Sequence, residues 1–120
     1  MEYVPYIVIA FFLFLILQRA LPTKGVRQLS TTELKKELKN KDKQFIDVRT
    51  PGEFNGNHIK GFTNIPLHQL SQKGDQELSK EKEVIVICQS GMRSQQASRK
   101  LKKMGFTKVA NVKGGMSAWH

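Results

Sequence analysis

Val84-Ile-Val-Ile87 is four β-branched residues in a row, followed at once by Cys88-Gln-Ser-Gly91. Such a run lacks the alternation of a half-wet strand, so it is expected at the centre of a parallel sheet covered on both faces. Helical patterns flank it. Met92 to Met104 carries Ala97, Leu101 and Met104 at helical spacing, with Gly105 just past the end. Earlier in the chain, Ser30-Thr-Thr-Glu33 and Thr50-Pro-Gly-Glu53 are capping boxes. Phe45 to Val48, Phe62 to Ile65 and Val109 to Val112 read as further strands, and Gly114-Gly115 turns into a short terminal helix. Strands alternating with helices predict an α/β fold, a parallel sheet flanked by helices.

The first 22 residues differ in composition. Tyr3 to Leu17 carries no charge. Extended to Leu21, a helix would cover about 28 Å, close to the hydrocarbon thickness of a bilayer. The expectation is one transmembrane helix over 1–22, a linker over 23–27 and a domain over 28–120. A cleaved signal fits less well, because Glu2 is the only early charge and Ala20-Leu21-Pro22 is a poor cleavage site. Arg19, Lys24 and Arg27 follow the apolar run, which places the C-terminal part in the cytoplasm. The expected location is the cell membrane, single-pass, with the domain cytoplasmic.

The charge of +10 comes from 20 Lys and Arg against 10 Asp and Glu. Its one dense run, Arg99 to Lys103, has no interleaved aromatic residues, so nucleic acid is not the expected partner. A solvated helix face drawn to anionic lipid accounts for it. The single Cys excludes a disulfide framework and a Cys-based zinc cluster. No metal and no cofactor is expected.

That Cys is the sharpest chemical feature. A lone Cys after an apolar strand is ordinarily a small buried hydrophobe. Here Gly91 and Arg93 follow three and five residues on, at a strand-to-helix junction. Helix N-terminal amides and a nearby cation favour thiolate at Cys88. Gly91 lets the backbone bend tightly. Gln89, Ser90, Gly91, Met92, Arg93 and Ser94 form the expected substrate-binding loop.

Four separated segments resemble the rhodanese family of sulfurtransferases. Cys88 to Arg93 fits C-x-x-G-x-R, and Phe45 to Arg49 resembles a strand ending in D-V-R. Glu53-Phe54, His58-Ile59, Gly61 and Asn64-Ile-Pro66 resemble a third segment, and Val112 to Trp119 the C-terminal V-x-G-G-x-x-A-W. Asn57 and Phe62 depart from the family's Gly and Ala; Asn57 suits a turn with positive φ, and Phe62 implies an altered pocket.

The resemblance implies that Cys88 takes a sulfane sulfur from a donor such as thiosulfate, holds it as a persulfide cradled by the amides of Gln89 to Ser94, and yields it to a thiol, an acceptor protein or cyanide. Arg93 would brace the loop and attract anionic donors. Asp47 and Arg49, which resemble a family feature at the end of a neighbouring strand, would support the site, Asp47 as an ion pair or cap and Arg49 toward its mouth. His58, Glu53 and Trp119 are read as structural. Two other readings stand beside this one. A membrane-held docking or persulfide-sensing module would lack turnover. A Cys-dependent phosphatase or arsenate reductase would carry five residues between Cys and Arg, where this chain has the four from Gln89 to Met92.

Overall fold

The computed structural model describes residues 2–20 and 23–120. A helix, α1 (Val4–Ala20), is followed by β1 (Val26–Leu29), α2 (Thr31–Glu37), β2 (Gln44–Asp47), α3 (Pro51–Gly56), β3 (Thr63–Asn64), a 3-10 turn at Leu67–Gln69, α4 (Leu70–Glu77), β4 (Val84–Ile87), α5 (Met92–Lys103), β5 (Val109–Val112) and a final 3-10 turn at Gly115–Ala118. The five strands form one sheet in the order β1-β5-β4-β2-β3. Every pairing is parallel, as expected of an α/β fold with helices on both faces.

All four residues of β4 are buried, so the β-branched run forms the central strand. Val84, Val86 and Cys88 face α4 and α5, packing with Ala97, Leu101 and Leu70. Ile85 and Ile87 face the other side, against Leu29, Leu34, Phe62 and Met116. Each such side chain contributes about 1.5–3 kcal/mol by leaving water. Both capping boxes form, with Ser30 and Glu33 closing α2 and Thr50 and Glu53 closing α3.

Two elements have no clear sequence signal. β1 takes in Val26 and Arg27 of the expected linker, and is held by its pairing to β5. Arg27 and Lys43 meet Glu37 and Glu83 in a four-membered ion cluster at the far end of the sheet from the Cys88 loop, with contacts of 2.7–3.1 Å. The other element is α4 (LSQKGDQE), whose buried residues are Leu70 and Gly74. A Cβ at Gly74 would come within 3.1 Å of the Met104 methyl, so glycine there lets α4 lie close to the end of α5.

The expected transmembrane helix over 1–22 is corrected. Met1, Leu21 and Pro22 lie outside the described residues. Seventeen residues of α1 cover about 25 Å, short of a ~30 Å hydrocarbon core. Among the described residues, no helix is long and apolar enough to cross a membrane. α1 does exist as a helix, and most of its large apolar side chains are exposed, with Leu15 half-buried.

Candidate active site

The carboxyl ends of β2, β4 and β5 converge on the Cys88 loop. Open parallel sheets place ligands there, because strand ends and helix N-termini meet. Gly91 caps α5 with φ +109°, a left-handed conformation that glycine adopts without strain. This turn folds the loop back over the Cys88 side chain. The Gly91 N–H donates to Cys88 Sγ at 2.9 Å. The thiol donates to Ser94 Oγ at 3.3 Å, and that hydroxyl donates to the Gly91 carbonyl at 3.0 Å.

Of the amides from Gln89 to Ser94, expected to cradle the outer sulfur of a persulfide, the Gly91 N–H is the one that reaches Cys88 Sγ itself, beside the Ser94 side chain. Cys88 is also fully buried. The sulfur lies inside the turn, at the amino end of a twelve-residue helix whose dipole favours negative charge there.

The outward-facing carbonyls of the loop are held by the C-terminal segment. Met116 N–H donates to Cys88 O at 2.8 Å. Ser117 N–H and its hydroxyl both donate to Gln89 O at 2.9 Å. Gly115 has φ +55°, and a Cβ there would overlap the Cys88 carbonyl. The Gly114-Gly115 pair therefore does more than start a turn: it lets one backbone lie directly on another. The sequence signal for this was the glycine pair itself, whose second member is buried against Cys88.

Asp47 and Arg49 are brought to the loop as well. Arg49 is buried and chelates the buried Asp47 carboxylate, with Nη2 to Oδ2 at 2.8 Å and Nε to both oxygens at 3.0 and 3.1 Å. Its remaining donors reach the Asn57 carbonyl at 2.6 Å and Gln89 Oε1 at 3.3 Å. Arg49 thus ties the end of β2 to the residue after Cys88. Asn64 Nδ2 donates to both the Asp47 and Arg49 carbonyls, fixing the chain between them.

Arg93 points elsewhere. Its guanidinium forms a two-point ion pair with Glu53, at 2.6 and 2.9 Å. Glu53 is also the capping residue of α3, so one carboxylate closes a helix and anchors the far side of the loop. The Arg93 hydrogen bond is the chief cause that lowers the Glu53 carboxyl to about 2, against an ordinary 4.5, with the Thr50 N–H and hydroxyl adding to it. Arg93 is in turn shifted up, mostly by Glu53 and to a lesser extent by the charge of Cys88.

Of the other expected residues, Ser90 and Met92 face outward, with Met92 about half exposed. His58 stacks on Phe54 at 3.9 Å, and its Nδ1 lies 2.8 Å from the Phe54 carbonyl oxygen, away from the sulfur. Asn57 has φ −169°, ordinary extended backbone, so no positive-φ turn exists at that position. Phe62 is buried against Phe45 rather than lining an altered pocket. Among the described residues no group of His, Cys, Asp and Glu is arranged to hold a metal ion.

This geometry agrees with what comparison with known proteins finds. Residues 30–120 match the model of the rhodanese-like domain. The Bacillus subtilis protein YqhL is 47% identical over 76 residues, covering 63% of this chain and 60% of that protein. The thiosulfate sulfurtransferase GlpE of Shewanella oneidensis is 33% identical over 94 residues, covering 78% of this chain and 92% of its own. Among solved structures, the rhodanese-like domain protein of Staphylococcus aureus superposes with a TM-score of 0.71 at 30% identity, over 79% of this chain and 92% of that one. YqhL is thus matched over less than two thirds of its length. With its Cys88 loop, its parallel sheet and relatives named sulfurtransferases, the chain belongs to the rhodanese-like family.

Proposed function

We propose that the protein is a sulfurtransferase that moves a sulfane sulfur from a donor such as thiosulfate to a thiol or cyanide through a persulfide on Cys88. The observation that carries this reading is the Gly91 N–H donated to the Cys88 sulfur inside a tight turn at the amino end of α5. In the first half-reaction, the Cys88 thiolate attacks the outer sulfur of thiosulfate. A sulfur–sulfur bond forms at Cys88, the bond to the sulfonate sulfur breaks, and sulfite leaves with the electron pair. In the second, an acceptor thiolate or cyanide attacks the terminal sulfur, and Cys88 thiolate is the leaving group. The two half-reactions give ping-pong kinetics.

The protein's part is electrostatic. The Gly91 N–H and the α5 dipole face the sulfur that carries negative charge before and after transfer, while the Ser94 hydroxyl accepts from the resting thiol and donates to the Gly91 carbonyl. The Cys88 and Gln89 carbonyls are drawn away from it by Met116 and Ser117. A turn this tight suits one added sulfur better than a tetrahedral oxyanion. Because Cys88 is buried in the sulfur-free state, the donor reaches it as the surrounding loop moves. Mass spectrometry of the full chain after thiosulfate treatment should find one added sulfur, on Cys88. No added sulfur at saturating donor would overturn the reading.

The burial of Cys88 favours one second reading, a persulfide-holding module without turnover of its own. It predicts that Cys88 takes sulfur once and that no thiol or cyanide removes it catalytically.

The proposal includes attachment to a membrane through α1, with the domain on the cytoplasmic side. Ile7, Phe11, Phe12, Phe14 and Leu17 are each more than half exposed, and no polar face interrupts them. A helix apolar all round suits a lipid environment better than one protein groove. Lys24 and Arg27 follow it on the side expected to stay in the cytoplasm. Flotation of the full chain with vesicles, and a reporter fused after His120, test attachment and sidedness.

A further inference from the structure

We propose that the groove beside the Cys88 loop selects small anionic thiols as sulfur acceptors, with Lys100 reading their charge. This rests on the sulfur-transfer reading above and names the acceptor class. The groove encloses about 450 Å³ between α5 and the 3-10 turn at Leu67. Arg93, Gln96 and Lys100 form one wall, at the i, i+3 and i+7 positions that share a helix face. Val48 and Leu67 supply an apolar floor, and His68 stands on the opposite rim. The groove adjoins the Cys88 loop through Arg93, and at its floor Val48 belongs to the same buried cluster as Cys88 and donates its N–H to the carbonyl of Ile87, the residue before Cys88, at 3.0 Å.

Two cations line this groove, and they are not equivalent. Arg93 is held by Glu53 on two points, so its charge is locally offset. Lys100 has no hydrogen-bond or ion-pair partner among the described residues, and no carboxylate lines the groove. An uncompensated ammonium over an apolar floor suits a ligand with a short carbon body and a terminal carboxylate. The volume is that of a small-molecule site rather than of a docked protein segment. The acceptor thiolate then attacks the terminal sulfur of the Cys88 persulfide. Its new sulfur–sulfur bond forms as the one to Cys88 Sγ breaks, and the thiolate of Cys88 takes the electron pair.

The test uses the full chain in a neutral detergent, thiosulfate as donor, and three thiols of different charge: mercaptosuccinate (anionic), 2-mercaptoethanol (neutral) and cysteamine (cationic). Rates are expressed per thiolate. The expected kcat/KM falls from mercaptosuccinate to 2-mercaptoethanol to cysteamine. Lys100→Glu should lower the mercaptosuccinate to 2-mercaptoethanol ratio by about tenfold, the size expected for reversing a charge at a few ångströms near a protein surface. Lys41→Glu makes the same charge change ahead of β2, at the other end of the sheet, and should move that ratio less than about twofold because screening removes distant charges.

A wild-type order independent of charge would overturn the assignment, as would equal effects of the two variants, which would mean a general attraction of anions to a basic protein. The mass of Cys88 is followed in the same samples. If no persulfide forms, the sulfur-transfer reading fails. If it forms and is unloaded without regard to thiol charge, the groove assignment alone fails.

Discussion

The Met116 amide donates to the carbonyl oxygen of Cys88 at 2.8 Å, so the chain's last turn fixes the residue that carries the sulfur. With Ser117 doing the same for Gln89, the two carbonyls preceding the turn are pulled outward and the Gly91 N–H is left facing in. Carbonyl oxygens aimed at the sulfur would repel a thiolate or a persulfide anion. The C-terminal segment therefore sets the polarity of the loop's interior.

Gly115→Ala tests this contact. The new methyl would overlap the Cys88 carbonyl, and the backbone there holds φ +55°. A side chain in a left-handed position together with a main-chain clash is expected to cost about 2–4 kcal/mol. Urea unfolding measures that loss. Sulfur transfer under conditions where the variant stays folded should also fall, because the segment can escape the clash only by moving off the loop. Gly52→Ala is the control, since nothing lies within 4 Å of its added methyl.

Cys88→Ser should abolish sulfur transfer and leave the fold intact. The hydroxyl keeps an acceptor for the Gly91 N–H, so no buried donor is orphaned. Cys88→Ala removes that acceptor and is expected to be less stable than Cys88→Ser by about 1 kcal/mol or more. Thiosulfate:cyanide assays and thermal unfolding of both variants separate chemistry from stability. Substantial turnover in Cys88→Ser would contradict the persulfide mechanism.

Much of this architecture is legible in the residues, for physical reasons. β4 shows itself because four β-branched residues in a row suit only a strand buried on both faces. The starts of α2 and α3 show themselves because a capping box is a local arrangement closed within four residues. What the sequence hides depends on distant partners. β1 has little apolar pattern of its own and exists through its pairing to β5. α4 has few apolar residues and is stabilised by close approach to α5 at Gly74. Arg93 finds Glu53 forty positions away, and the seal over Cys88 emerges only when three strand ends meet.

Arg49→Ala is expected to be among the most destabilising single changes in the domain. It would leave the fully buried Asp47 carboxylate without its cation, a loss of about 3–5 kcal/mol. It also frees Gln89 and the Asn57 carbonyl. Asp47→Asn in the same chain should recover part of the loss, because it removes the uncompensated charge. Chemical denaturation of both single variants and the double variant gives the coupling between the two residues. Additive losses would mean that the pair acts as two independent groups.

The Arg93–Glu53 pair gives the loop an acid limit whose sign follows from the carboxylate. Glu53 titrates near 2 in the folded protein against an ordinary 4.5, chiefly because Arg93 donates to it. A lowered folded value means that the ionised form is favoured by folding. The stabilisation is complete above about pH 4.5 and is lost as pH falls from there through about 2. The pair is about one-third exposed, so solvent screening keeps its contribution modest. Thermal midpoints measured between pH 6 and pH 2.5 should fall more steeply for the wild type than for Glu53→Gln, which has no carboxylate to protonate there. Glu53→Gln should also lose some stability at neutral pH, since it weakens both the α3 cap and the hold on Arg93. Parallel curves for the two proteins would show that Glu53 does not titrate with folding, and that the loop is held by the Arg49 and C-terminal contacts alone.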